Sequence, residues 1–199
     1  MEEATARKLR FLTLQVVGAV AVVHFVVGVS ELARFNRAGL LGEYFFGGQA
    51  LVQPEPWLFV LSSVAILAGI GAVAAGYLDF RRAYVLGIAA MAVYVLGWFA
   101  WHTVLGHGAG GGPAAAPGGN DSAHPGLLGV LISHYVEPLV GIFTGADQPG
   151  RVTLAVLSKT LEVVALALLA TLLAFDPRVE DPENPVAGMS GDTSEHTER

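Results

Sequence analysis

The sequence predicts an all-α fold: a polytopic integral membrane helical bundle of four or five transmembrane helices. Three observations predict it. Hydrophobic residues fill 53% of the 199 positions, and a soluble domain of this size rarely carries so many in long unbroken runs. Ala83 to Leu105 follows the pair Arg81 and Arg82 without one charged side chain, which is long enough to cross a hydrocarbon layer of about 30 Å as a helix. Further apolar runs of similar length lie at 11–33, 57–78 and 152–175.

Composition also excludes function classes. There is no cysteine, so disulfides, thiolate metal sites, iron–sulfur clusters and thiol nucleophiles within the chain are ruled out. Acidic residues outnumber basic ones 17 to 11, for a net charge of −6. The excess gathers in the tail from Asp176, so a nucleic-acid partner is not expected. The expected surroundings are the lipid bilayer of a cell membrane, with membrane protein partners or further copies of the chain. No phosphate-binding loop, dinucleotide fingerprint, HExxH motif or nucleophile elbow is present.

In order, residues 1–10 form a short charged head, expected on the cytoplasmic side. The basic residues before the run 11–33 imitate a signal peptide. The run is longer than a signal core and no small-x-small site follows, so it is read as a retained helix. His24 lies within it, roughly 20 Å from Phe11. Glu31, seven residues on, shares its face. Residues 34–56 mix Tyr44, Phe45 and Phe46 with Gly47 and Gly48, a pattern suited to an interfacial segment and not to a continuous helix.

The helix at 57–78 opens on Trp57, an interface anchor. Its Ala68, Ala72 and Gly76 recur every fourth residue, a spacing that lets another helix approach closely in lipid. The connection 79–82 is short enough to force an antiparallel neighbour at 83–105. There Tyr94, Trp98 and His102 form a stripe that ends in the histidine, and the aromatics Tyr94, Trp98 and Trp101 are read first as packing and an interface belt. The glycine-rich stretch 106–125 carries His107 and His124 and is expected to be flexible.

Residues 126–145 are ambiguous. His134, Glu137 and Pro138 interrupt an otherwise apolar sequence, which could be a fifth crossing or an interfacial half-helix. Length favours five crossings, since four leave a long external connection before Arg151. Both versions place the N-terminus in the cytoplasm by the distribution of Lys and Arg. The helix at 152–175 carries Lys159 and Glu162, three apart and able to pair. Asp176 and Pro177 stop it, and 176–199 reads as a disordered acidic tail.

Two chemistries are open to these residues. Helix-borne histidines facing each other hold b-type haem in membrane cytochromes; His24 with His102 or His134 is the candidate pair. Gly28 and Gly97 are placed to make room for the macrocycle. A copper or zinc site would draw on His102, His107, His124 and His134. On that reading the chain is a haem- or metal-binding electron-transfer subunit. The alternative is a non-enzymatic transport-like or assembly subunit with buried ion pairs among Glu31, Glu137, Lys159 and Glu162, since an ionisable group inside the membrane costs about 2.5–3.5 kcal/mol unless paired.

Overall fold

The computed structural model describes residues 1–103, 126–144 and 149–180. They are helical almost throughout, with no strand among them. The long helices are α1 (Glu3–Arg37), α4 (Glu55–Ala74), α5 (Phe80–Thr103) and α8 (Pro149–Phe175). Short helices α2 (Leu41–Phe46) and α3 (Gln49–Val52) follow α1. Next come α6 (Gly126–Leu131), a wide turn of π type at Ile132–Val136, α7 (Glu137–Thr144) and finally α9 (Pro177–Glu180). Four helices, α1, α4, α5 and α8, are long and apolar enough to cross a membrane.

α1 begins at Glu3, so the charged head is part of the helix. No glycine or proline interrupts 1–10. Arg10 reaches back along the helix to the Ala6 carbonyl and the Glu3 carboxylate. At 35 residues α1 is about 52 Å long, well beyond the hydrocarbon thickness.

Residues 38–54 form a folded cap on the far end of α1. Phe35 stacks on Tyr44 with ring centroids 4.5 Å apart. The Tyr44 hydroxyl donates to the Gln53 carbonyl at 2.8 Å, and the Trp57 indole N–H donates to the Ala50 carbonyl at 2.9 Å. Gly48 takes φ +88° between α2 and α3, a left-handed position that glycine adopts without strain.

α4 ends four residues before the expected Leu78, and Gly76 turns the chain at φ +77°. Asp79 then caps α5, accepting the Arg82 backbone N–H at 2.9 Å. α1 lies in the middle of the bundle, with α4 on one flank and α8 on the other, and α5 packs on α8. The contact of α1 with α4 is close at Gly28, where a Cβ would lie 2.6 Å from the Pro56 carbonyl oxygen and 2.9 Å from Val60. The stripe Ala68, Ala72, Gly76 does not serve this contact: Ala68 and Gly76 are exposed.

The core is a compact set: Val20 from α1, Tyr84 and Met91 from α5, and Ala165, Leu169 and Leu172 from α8. Outside it, large apolar side chains such as Val22, Phe25, Val93, Leu96 and Val163 face outward, as a hydrocarbon solvent allows.

α5 runs antiparallel to α8, because Tyr84 meets Asp176 and Tyr94 meets Lys159. Arg10 also meets Asp176. The start of α1 and the end of α8 therefore share one end of the bundle, while α5 ends and α8 begins at the other. α5 therefore ends, and α8 begins, at the same end of the bundle. Among the described residues four helices are long and apolar enough to span, and 126–144 is not a fifth such helix but α6, the wide turn and α7. The reason is local. Pro138 has no N–H for the carbonyl four residues back, and the helix widens before it, with the Glu137 N–H bonding to the Ile132 carbonyl. Tyr135 leaves that wide turn to meet the Thr160 hydroxyl of α8 at 2.9 Å.

Candidate functional site

Glu162 is the centre of the site. It sits midway along α8 and is fully buried. Lys159 and Ser158, three and four residues earlier, project from the same face of the helix. The Lys159 ammonium lies 2.6 Å from Glu162 Oε2. The Ser158 hydroxyl donates to Oε1 at 2.8 Å. The pairing of Lys159 with Glu162 expected from their spacing is present.

The third partner comes from α1. His24 is buried, and its Nε2 lies 3.3 Å from Glu162 Oε1. Its Nδ1 lies 2.9 Å from the Val20 carbonyl one turn back. The ring stacks on Tyr94 of α5, centroids 4.2 Å apart and 19° from parallel, and meets the Phe59 ring of α4 edge-on at 4.8 Å. All four long helices therefore touch this imidazole. Lys159 Nζ also reaches the Tyr94 carbonyl at 3.4 Å. The Tyr94 hydroxyl is buried beside Ser62 without a hydrogen bond of good geometry.

A second polar level lies at the N-terminal end of α1. Asp176 is fully buried and accepts the Tyr84 hydroxyl at 2.6 Å. Arg10 Nε stands 3.4 Å from the same oxygen, and the Arg178 N–H donates to the other at 3.0 Å. Arg10 and Arg178 both lie over the Phe80 ring, at 5.6 and 5.3 Å, and both pair with Glu3. Fourteen residues separate Arg10 from His24 on α1, and fourteen separate Glu162 from Asp176 on α8. The two levels are thus about 21 Å apart along both helices, with the apolar core between them.

The other sequence candidates fall elsewhere. Glu31 does not join His24. It is part-exposed and bound to Arg34 Nη1 at 2.8 and 2.9 Å. Glu137 is exposed on α7. His102 lies in the last turn of α5 and His134 in the wide turn, with the backbone described but not the side chains. His107 and His124 lie outside the described residues, as do the glycine-rich stretch and the tail beyond Glu180.

Haem ligation by His24 finds no support in this packing. Both ring nitrogens are engaged, Tyr94 stacks on the ring, Phe59 packs against it at a steep angle, and α4 fills the space at Gly28 that a macrocycle would need. Of the two glycines expected to make room, Gly97 has open space beside it. Among the described residues no group of three His, Asp or Glu side chains converges as metal ligands would.

Sequence reasoning missed Tyr94 as the stacking partner, Ser158 as a donor, and the whole level around Asp176, which had been read only as a helix stop. The equal spacing of fourteen was the one available signal. No family model, curated protein or solved structure matches the chain.

Proposed function

We propose that this chain is a non-enzymatic, transport-like membrane subunit whose His24, Glu162 and Lys159 form a proton-binding site inside the bilayer. The carrying observation is that both nitrogens of His24 face acceptors, the Val20 carbonyl at 2.9 Å and the Glu162 carboxylate at 3.3 Å. A neutral imidazole has one N–H and satisfies one of them; the imidazolium donates to both. The stacked Tyr94 ring suits a cation beside its π face.

The groups that face His24 among the described residues are Glu162 and Lys159 of α8 and Tyr94 of α5; α4 brings only the apolar Phe59. One carboxylate is thus shared by two basic side chains. With His24 neutral the Lys159–Glu162 pair is balanced; with His24 protonated the cluster gains one positive charge. Ionisable groups held inside a membrane bundle in this way mark proton or ion pathways by default.

Orientation follows from the Lys and Arg distribution. Arg7, Lys8, Arg10, Arg81, Arg82 and Arg178 belong to the end where α1 starts, against Arg34, Arg37 and Arg151 at the other. The first end is the cytoplasmic one by the positive-inside bias.

The test is a pH jump on proteoliposomes adsorbed to a solid-supported membrane. The wild type is expected to give a transient current as protons move into the bilayer to reach His24. Glu162→Gln and His24→Phe are expected to lose it, while Gly97→Ala keeps it. A wild-type signal equal to that of protein-free vesicles overturns the proposal.

A further inference from the structure

We infer that Arg10, Tyr84 and Asp176 form a releasable latch that seals the cytoplasmic end of the His24–Glu162–Lys159 site. This inference deepens the proton-binding proposal and rests on it. The same three helices build both polar levels: α1 gives His24 and Arg10, α5 gives Tyr94 and Tyr84, and α8 gives Glu162 and Asp176. Between the levels the packing is mainly apolar, from Val20, Met91, Ala165, Leu169 and Leu172; the buried Thr13 hydroxyl donates to the Leu9 carbonyl of its own helix. Among the described residues that layer offers a proton on His24 no continuous chain of polar side chains. For it to leave on the cytoplasmic side, the ends of α1, α5 and α8 must part.

Of the bonds that hold those ends together, the contact of Arg10 with Asp176 is arranged to let go. Asp176 closes the C-terminal end of α8, where the helix dipole opposes a negative charge. It stays buried because Tyr84 and the Arg178 N–H donate to it and Arg10 stands nearby. Arg10 has its alternative partners already in place: Glu3, the Ala6 carbonyl and the Phe80 ring. Its contact with Asp176 is also the longest of its polar contacts, at 3.4 Å. Arg10 can leave Asp176 without becoming an unpaired charge, and Asp176 at the helix end can pass into water. The cost of opening is therefore lower than for a buried pair whose two members have no other partners.

The experiment uses the natural absence of cysteine. A single Ala165→Cys places a thiol in the apolar layer, and a membrane-impermeant methanethiosulfonate is applied to inside-out vesicles. In the otherwise unchanged chain this thiol is expected to react slowly. Asp176→Asn and, separately, Tyr84→Phe are expected to raise its rate roughly tenfold, as a minor open state becomes populated. Val93→Cys, on the lipid-facing side of α5, is expected to keep its rate in all backgrounds, which guards against unfolding as the cause. An unchanged Ala165→Cys rate in both variants overturns the latch, whatever the pH-jump current shows. A raised rate with no wild-type current overturns the proton-binding proposal, and with it the latch's role as that site's seal.

Discussion

Glu162 shows how a single buried carboxylate organises its surroundings. It is fully buried and takes one contact each from Ser158, Lys159 and His24. Removing one member of such a set leaves the others charged or polar without a partner, which costs about 3–5 kcal/mol. Glu162→Leu is therefore expected to lower stability by about that amount in detergent unfolding experiments. Lys159→Met combined with Glu162→Leu is expected to recover part of the loss, because no charge is then stranded. Additive losses would show that the pair is not coupled. At this scale the sequence was partly legible. The pairing of Lys159 with Glu162 follows from their spacing on one helix, and His24 stood out as an ionisable group in an apolar run. Their meeting across helices was not legible. Asp176 was read as a helix stop because Asp followed by Pro performs that role equally well, and Asp176 does end α8 here.

Among elements, the close pair is α1 with α4, and Gly28 sets its distance. A Cβ at 28 would collide with the Pro56 carbonyl at 2.6 Å and with Val60 at 2.9 Å. Because one of these atoms is backbone, no rotamer change relieves the contact. Gly28→Val is expected to drive α4 off α1, reducing the yield of folded protein on size exclusion, whereas Gly97→Ala, with nothing within 4 Å, is expected to be silent. The cap of α2 and α3 depends on Tyr44. Tyr44→Phe loses the bond to the Gln53 carbonyl and is expected to cost about 1 kcal/mol. Burial first, and then the charge of Glu55, push the Tyr44 phenol above its ordinary value. The neutral phenol is thus favoured in the folded state. That stabilisation is complete below about pH 10 and is lost as pH rises through the shifted value, which an ultraviolet titration of wild type against Tyr44→Phe measures. The positions of the four long helices were legible because apolar length alone marks them. Their packing faces were not. A helix that is apolar all round has no polar side to set its rotation, so neither Gly28 as the contact with α4 nor the exposure of Ala68 could be read from sequence. Small residues at regular spacing permit close approach without saying which of them a neighbour uses.

On the scale of the whole molecule, direction is fixed by the two polar levels. Arg10 beside Asp176 brings the beginning of α1 to the end of α8, and Lys159 beside Tyr94 fixes α5 antiparallel to α8. This pairing bears on a question that length left open. A run of apolar residues broken by His134, Glu137 and Pro138 is equally readable as a crossing or as a bent segment. Only contacts far apart in sequence separate the two, and those are what hydropathy does not encode. The consequence is testable in intact cells with single cysteines in the cysteine-free chain. Thr5, Tyr77 and Arg178 are exposed and belong to the end that carries Asp176; Glu43, also exposed, lies in the opposite cap. An impermeant maleimide applied outside is expected to label Glu43→Cys at once. Thr5→Cys, Tyr77→Cys and Arg178→Cys are expected to react only after permeabilisation. Labelling of Arg178→Cys together with Glu43→Cys would put the end of α8 on the side of Glu43 and overturn the arrangement in which Arg10 meets Asp176. Labelling of the other three with Glu43 silent would keep the four-helix arrangement and invert it, against the six basic residues at the α1 end.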